Sequence, residues 1–304
     1  VGAAYLAAEG FVADLIAELG PEAVLEVRDR LVLAAGPARR LAWAQNVWFE
    51  PVVLPFESIA GAAQALRALQ RNWALWPTGH YRRASLIQER LPHVSAKPLE
   101  FPAPAPVAPL GSWTLLDANT LLAAGRCSSR FRHGEARFVE NRTAPPSRAY
   151  LKLWEALTLL GDRPGPGSRC LDLGASPGGW SWVLAQLGAQ VLAVDKAPLD
   201  PAVAALPGVT VRTASAFAVT PAEIGPVDWL TCDVICYPER LLRLVETWLG
   251  AGFAGTMVCS VKFQGATDHA LAARLAAIPG SRLLHLFHNK HELTWIHQPR
   301  CQTA

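Results

Sequence analysis

Cys170-Leu171-Asp172-Leu173-Gly174-Ala175-Ser176-Pro177-Gly178-Gly179-Trp180 is the stretch that decides the reading of this chain. An apolar run takes in an acidic residue and runs into a glycine-rich turn. Trp180, Val183, Leu184 and Leu187 then recur at helical spacing up to Gly188. Strand, tight turn and helix in that order make the first crossover of an open α/β sheet, whose ligands bind beyond the carboxyl ends of the strands.

The turn narrows the ligand. A dinucleotide fingerprint needs a second glycine where backbone approaches a pyrophosphate, and Ser176 followed by Pro177 stands there instead. What remains is a helix N-terminus suited to a carboxylate, with Asp172 nearby for a cationic group. S-adenosylmethionine carries both on its amino-acid arm. The next apolar run, 190–194, ends in Asp195, a position from which an acid binds ribose hydroxyls in nucleoside-binding sheets. The same residues also fit a plain βαβ turn with a capping aspartate, so the turn alone leaves both readings open.

At 304 residues the chain has room for two domains, and 51% hydrophobic with 17% charged residues excludes global disorder. A net charge of +3 does not argue for nucleic acid, but its distribution does. Residues 126–152 hold Arg126, Arg130, Arg132, Arg137, Arg142, Arg148 and Lys152 against Glu135 and Glu140, a net of +5 in one segment. The six cysteines, Cys127, Cys170, Cys232, Cys236, Cys259 and Cys301, form no CxxC pair or disulfide-like framework. Three of them sit in apolar runs as free thiols would in a reducing compartment. With no leader-like or membrane-length apolar run, a cytoplasmic location is the expectation.

The order of patterns predicts an α+β region over 1–140 and a doubly wound, mainly parallel Rossmann-like α/β domain over 141–304. In the first, helical spacing of Leu6, Phe11, Val12, Leu15, Ile16 and Leu19 predicts a helix over 2–19. Strands are expected at 24–27, 31–34 and 41–53, and a helix at 58–72. The segment from Arg67 to Arg83 interleaves Trp73, Trp76 and Tyr81 with basic groups. Exposed, it is a stacking surface for single-stranded RNA; buried, its tryptophans are core. Prolines at 98, 102, 104, 106 and 109 mark a stiff spacer over 98–110, and Asp117-Ala118-Asn119 turns a hairpin between 112–116 and 120–124. In the second, a helix over 150–160 with Ser147 as N-cap precedes the motif. Strands follow at 209–211, 227–232, 255–261, 282–287 and 293–297, with helices at 239–249 and 268–277, and the last two strands are close enough to form an antiparallel hairpin.

Four charged residues fall on element ends: Lys152 in the helix before the motif, Asp233 and Lys262 closing two strands, and Glu292 opening the last. Strand carboxyl ends face the ligand crevice, so these side chains are expected to converge beside Gly174. A lysine held beside another cation has its ammonium form disfavoured and can serve as a base, with carboxylates positioning it. Singly, each also reads as a strand cap or a solvated face.

Together, residues 147–153, Leu171 to Trp180, Cys232-Asp233, Val261-Lys262 and His291-Glu292 resemble the FtsJ-type ribose 2′-O-methyltransferases with their K-D-K-E tetrad. Within that family the layout is most similar to the branch that methylates a cytidine ribose of 23S rRNA and carries a THUMP-containing RNA-binding front region. The resemblance implies that Lys152, Asp233, Lys262 and Glu292 are the tetrad, with Lys262 the base. It also implies that S-adenosylmethionine is held by Asp172, Gly174, Ser176, Pro177, Gly178, Gly179, Trp180, Asp195, Ser215 and Asp233. RNA is the expected partner, met by Arg126, Arg130, Arg132, Arg137, Arg142 and Arg148, with no metal and no membrane. The family often has an acid after the third strand for the adenine amino group, and only Ser215 stands there here. A tRNA or other RNA substrate, or a non-catalytic RNA-binding assembly factor, are the alternatives.

Overall fold

Ala3-Ala4-Tyr5-Leu6-Ala7 has no polar residue to mark an outer face, and in the computed structural model it forms a strand, β1 (Ala3–Ala7), rather than the front of a helix. β1 is hydrogen-bonded on both edges and buried throughout, so apolar residues occupy both faces and period-2 alternation disappears. The predicted helix over 2–19 therefore shortens to α1 (Val12–Leu19). The structure describes residues 1–253 and 255–299. Cys301 lies outside them, and the five described cysteines are all free.

The chain divides into two compact units, 1–99 with 105–137, and 100–104 with the chain from Phe138 onward. The first unit continues with β2 (Val24–Arg28), β3 (Leu31–Ala34), β4 (Ala44–Phe49), β5 (Val52–Pro55), α2 (Ile59–Leu69), β6 (Trp73–Leu75), α3 (Tyr81–Gln88), β7 (Gly111–Leu115), β8 (Thr120–Ala124) and β9 (Arg126–Cys127). Its two sheets run β2-β3-β1-β4-β9 and β5-β8-β7-β6. β8 shows how they stack. Leu121 and Ala123 pack with Ala62, Leu66 and Ile87 of the two helices, while Leu122 and Ala124 pack with Ala4, Leu6 and Trp48 of the other sheet. The four-stranded sheet is thus a middle layer. The single strand expected over 41–53 is two strands, because Glu50 adopts φ 49° and Pro51 has no N–H to donate, so the chain leaves one sheet for the other. Trp73 lies in the core and Trp76 packs on it under the Arg30 guanidinium, so the tryptophans of the aromatic and basic stretch are packing groups.

In the second unit, α4 (Tyr150–Leu160), β10 (Arg169–Leu173), α5 (Gly179–Gln186), β11 (Gln190–Asp195), α6 (Pro201–Ala204) and β12 (Val209–Thr213) come first. α7 (Pro221–Ile224), β13 (Trp229–Cys232), α8 (Pro238–Gly250), β14 (Thr256–Lys262), α9 (His269–Ala276), β15 (Ser281–Leu284) and β16 (Glu292–His297) follow. The sheet order is β12-β11-β10-β13-β14-β16-β15. The first five strands are parallel, and β16 runs antiparallel to both β14 and β15. The chain moves outward from β10 to β12 and then returns to β13, so the order reverses between β10 and β13, where open sheets of this kind leave a crevice. Ala149, at the N-cap position of α4, supplies no side-chain cap, and Ser147 instead accepts from the Ala149 N–H at 3.4 Å. Phe101, in the stretch read as spacer, stacks on Trp154 with ring centroids 4.8 Å apart.

Candidate active site

The turn after β10 needs glycine for space as well as conformation. Gly174 has φ 73°, and a Cβ there would lie 2.7 Å from the Cβ of Val234. Gly178 has φ 119° and would press on Val203, and a Cβ on Gly179 would meet the Ser147 hydroxyl at 2.8 Å. The loop is tied to the end of β11 through Asp195, which accepts from the Ser176 N–H at 3.0 Å and the Ala197 N–H at 2.9 Å. Ser176 donates its hydroxyl to the Pro198 carbonyl at 2.8 Å, and the Pro177 carbonyl accepts from the Asp200 N–H at 2.9 Å.

Asp172 is placed otherwise than its sequence position suggests. It is 1% exposed, and its two oxygens accept from Ser181 Oγ at 2.6 Å and Thr231 Oγ1 at 2.9 Å. Burial pushes its carboxyl up to about 7, and the two hydroxyls only partly offset that. It braces β10 against α5 and β13, with both carboxyl oxygens engaged by hydroxyls. Trp180, also buried, donates its indole N–H to the Ala149 carbonyl at 2.9 Å and sits 5.8 Å beneath the Lys152 ammonium. It is a floor for that lysine. Ser215 accepts from the Phe217 N–H at 3.3 Å.

Lys152, Asp233, Lys262 and Glu292 come together. The Asp233 carboxylate accepts from Lys152 Nζ at 2.8 and 2.9 Å and lies 3.0 Å from Lys262 Nζ. Glu292 Oε1 is 3.1 Å from Lys152 Nζ, and Glu292 stands opposite Lys262 in the β14–β16 register. Lys262 also donates to the Asp233 main-chain carbonyl at 2.8 Å, which aims its amine across the end of β13. Two cations and two anions balance, which is what permits charged side chains 10–19% exposed at this depth. Burial raises the Asp233 carboxyl, but the two ammonium groups outweigh it and hold it below the ordinary carboxylate range. Lys262 has the most open side chain of the four.

One contributor escaped the sequence reading. Glu155, a carboxylic acid in a mostly apolar helix, is buried one turn from Lys152. It accepts from the Phe287 and His288 N–H groups at 2.8 and 3.1 Å and from His288 Nδ1 at 2.8 Å. It fixes the loop that leads into Glu292. A charged residue among Leu, Trp and Ala was the available signal.

The predicted arginines carry acids of their own: Arg126 pairs with Glu50, Arg137 with Glu135, and Arg142 and Arg148 with Glu140. Such exposed pairs contribute little to stability. Arg130 and Arg132 have no acidic partner among the described residues.

The donor set suits an amino-acid nucleoside. α5 opens on Gly178 without a side-chain cap, which leaves first-turn N–H groups for a carboxylate. Asp195, partly exposed at the end of β11, retains lone pairs for a ribose diol, and with Asp172 enclosed, Asp233 is the acid at these strand ends that remains for an ammonium.

A Rossmann-like sheet with this turn and this charge cluster suits a methyltransferase that draws on an amino-acid nucleoside, and residues 145–278 match the model of the FtsJ-like methyltransferase family. The match falls on the region whose motifs resemble that family. It is 38% identical over 157 residues to the ribosomal RNA large subunit methyltransferase M of Halorhodospira halophila, covering 49% of this chain and 46% of that one. Its counterpart in Methylococcus capsulatus is 36% identical over 165 residues, with the same shares covered. The chain thus spans about half the length of the curated relatives it matches.

Proposed function

We propose that the second unit transfers a methyl group from S-adenosylmethionine to a ribose 2′-hydroxyl of RNA, and that large-subunit ribosomal RNA is the substrate. The observation that carries this reading is the neutral cluster of two lysines and two acids at the carboxyl ends of the central strands. The relatives named above support the choice of ribosomal RNA. S-adenosylmethionine supplies an activated methyl group, released as the carbon–sulfur bond breaks with its electron pair left on sulfur. Gly174, Ser176 to Gly179, Asp195 and Asp233 hold it, with Ser215 beside the adenine. Lys262 is the base that takes the proton of the 2′-hydroxyl as its oxygen bonds to carbon. Lys152 orients that oxygen, and Asp233 and Glu292 hold the two amines in place. Because the donor is already activated, the rate comes chiefly from positioning and proton removal.

The first unit, a THUMP-like α+β region, and the arginines from Arg126 to Arg148 bind RNA through phosphates in this reading, in a cytoplasmic setting. Among the described residues no helix is long and apolar enough to cross a membrane. Mapping ribose methylation across total RNA from cells with and without the gene tests the proposal. One 2′-O-methyl site in large-subunit rRNA is expected to vanish, and an unchanged map would overturn the reading.

A further inference from the structure

The first unit contains a cavity of about 700 Å³, within the ~300–1,000 Å³ range of small-ligand pockets. Segments 93–99, 106–110 and 130–137, together with Asn72, form its walls. Lys97, Arg130 and Arg132 line it, and none has an acidic partner among the described residues. Arg137 and Glu135 also line it but neutralise each other through a two-point pair, Nε at 3.0 Å and Nη2 at 2.7 Å. A net of three positive charges therefore faces one concavity. Like charges gathered on one surface repel in the absence of a counter-anion, so the arrangement is suited to receive one. Arg130 and Arg132 are held in place, the first donating to the Val107 carbonyl and the second through Nε to His133 Nε2 at 3.1 Å. The wall is not purely cationic. Phe131 and Leu110 give it an apolar face, and Asn72 spends its amide N–H on the Pro109 carbonyl at 3.1 Å, leaving its oxygen as an acceptor. Cations for a phosphate, an apolar face for a ring and an amide acceptor for its edge match a phosphorylated nucleotide better than a bare anion.

We propose that this cavity binds an unpaired nucleotide of an RNA strand, with its phosphate against Lys97, Arg130 and Arg132. The choice of a strand over a free nucleotide rests on the RNA-methyltransferase reading; the nucleotide chemistry of the cavity does not. Of the six arginines singled out in sequence, the proposal selects the two without acids and adds Lys97. The test is fluorescence anisotropy of the full chain with a labelled single-stranded 12-mer RNA across a salt series, with mononucleotide as competitor. Lys97→Ala/Arg130→Ala/Arg132→Ala is expected to weaken RNA binding at least ~10-fold and to flatten the salt slope by about 0.7 per lost phosphate contact. Arg274→Ala, an exposed charge in the other unit, is expected to leave binding unchanged. Lys97→Glu, whose side chain makes no hydrogen bond among the described residues, carries the test if the triple variant misfolds. Affinity within twofold of the parent at unchanged slope would overturn the proposal, as would mononucleotide displacing the strand at equal concentration. RNA binding that needs the cavity in a protein that transfers no methyl would keep this inference and sink the methyl-transfer reading.

Discussion

Asp172 and Asp233 close neighbouring strands of one sheet and behave oppositely. Asp233 has two ammonium groups within 3.0 Å and stays ionised, whereas Asp172 has only hydroxyls and is raised to about 7. The sequence could not tell them apart, because the groups that enclose Asp172 come from 9 and 59 residues away. A carboxyl raised on folding contributes stability that is full below its unfolded value near 3.8 and is lost as pH rises through about 7. Between pH 5 and 8 the parent should therefore lose on the order of 2 kcal/mol relative to Asp172→Asn, whose amide does not titrate. Chemical denaturation of the two proteins at each pH reads the difference, and parallel curves would refute the assignment.

The β10–turn–α5 element was legible because an apolar run, an acid and glycines in close succession admit few other local structures. Its glycines carry the next prediction. Gly174→Ala places a Cβ 2.7 Å from Val234 at φ 73° and should cost at least ~2 kcal/mol of stability in urea unfolding. A loss under ~0.5 kcal/mol would show that the turn can relax. The hairpin at 111–124 and the antiparallel edge at β15–β16 were legible for a similar reason, since short polar connections leave little choice of pairing. β1 was not: a strand buried on both faces carries no alternation, and the adjoining helix extends the apolar spacing across it. Strand 41–53 failed at Glu50-Pro51, where a change of sheet within one apolar run leaves only a proline as its mark.

At the scale of the molecule, convergence of Lys152, Asp233, Lys262 and Glu292 followed from one topological fact, that strand ends of a parallel sheet share a face, so residues 140 apart in sequence met as expected. The two units carry buried groups of opposite sign in their response to acid. In the first, burial chiefly, then Arg132 and Arg30, drives His133 down to about 3, so its contribution is full above about 6.5 and is lost as pH falls toward 3. Asp172 in the second unit responds the other way. Lowering pH from 7 to 4 should therefore raise amide hydrogen exchange around 130–135 before it does so in β10, and exchange rising first in β10 would refute this. The most direct measurement of the central claim is transfer of labelled methyl from S-adenosylmethionine to RNA by the full chain, with the product's position read by ribose mapping. Label is predicted on a ribose 2′-oxygen, at a rate at least ~100-fold lower for Lys262→Ala while cofactor binding by calorimetry persists. Label on a base, or transfer by Lys262→Ala at the parent rate, would contradict it.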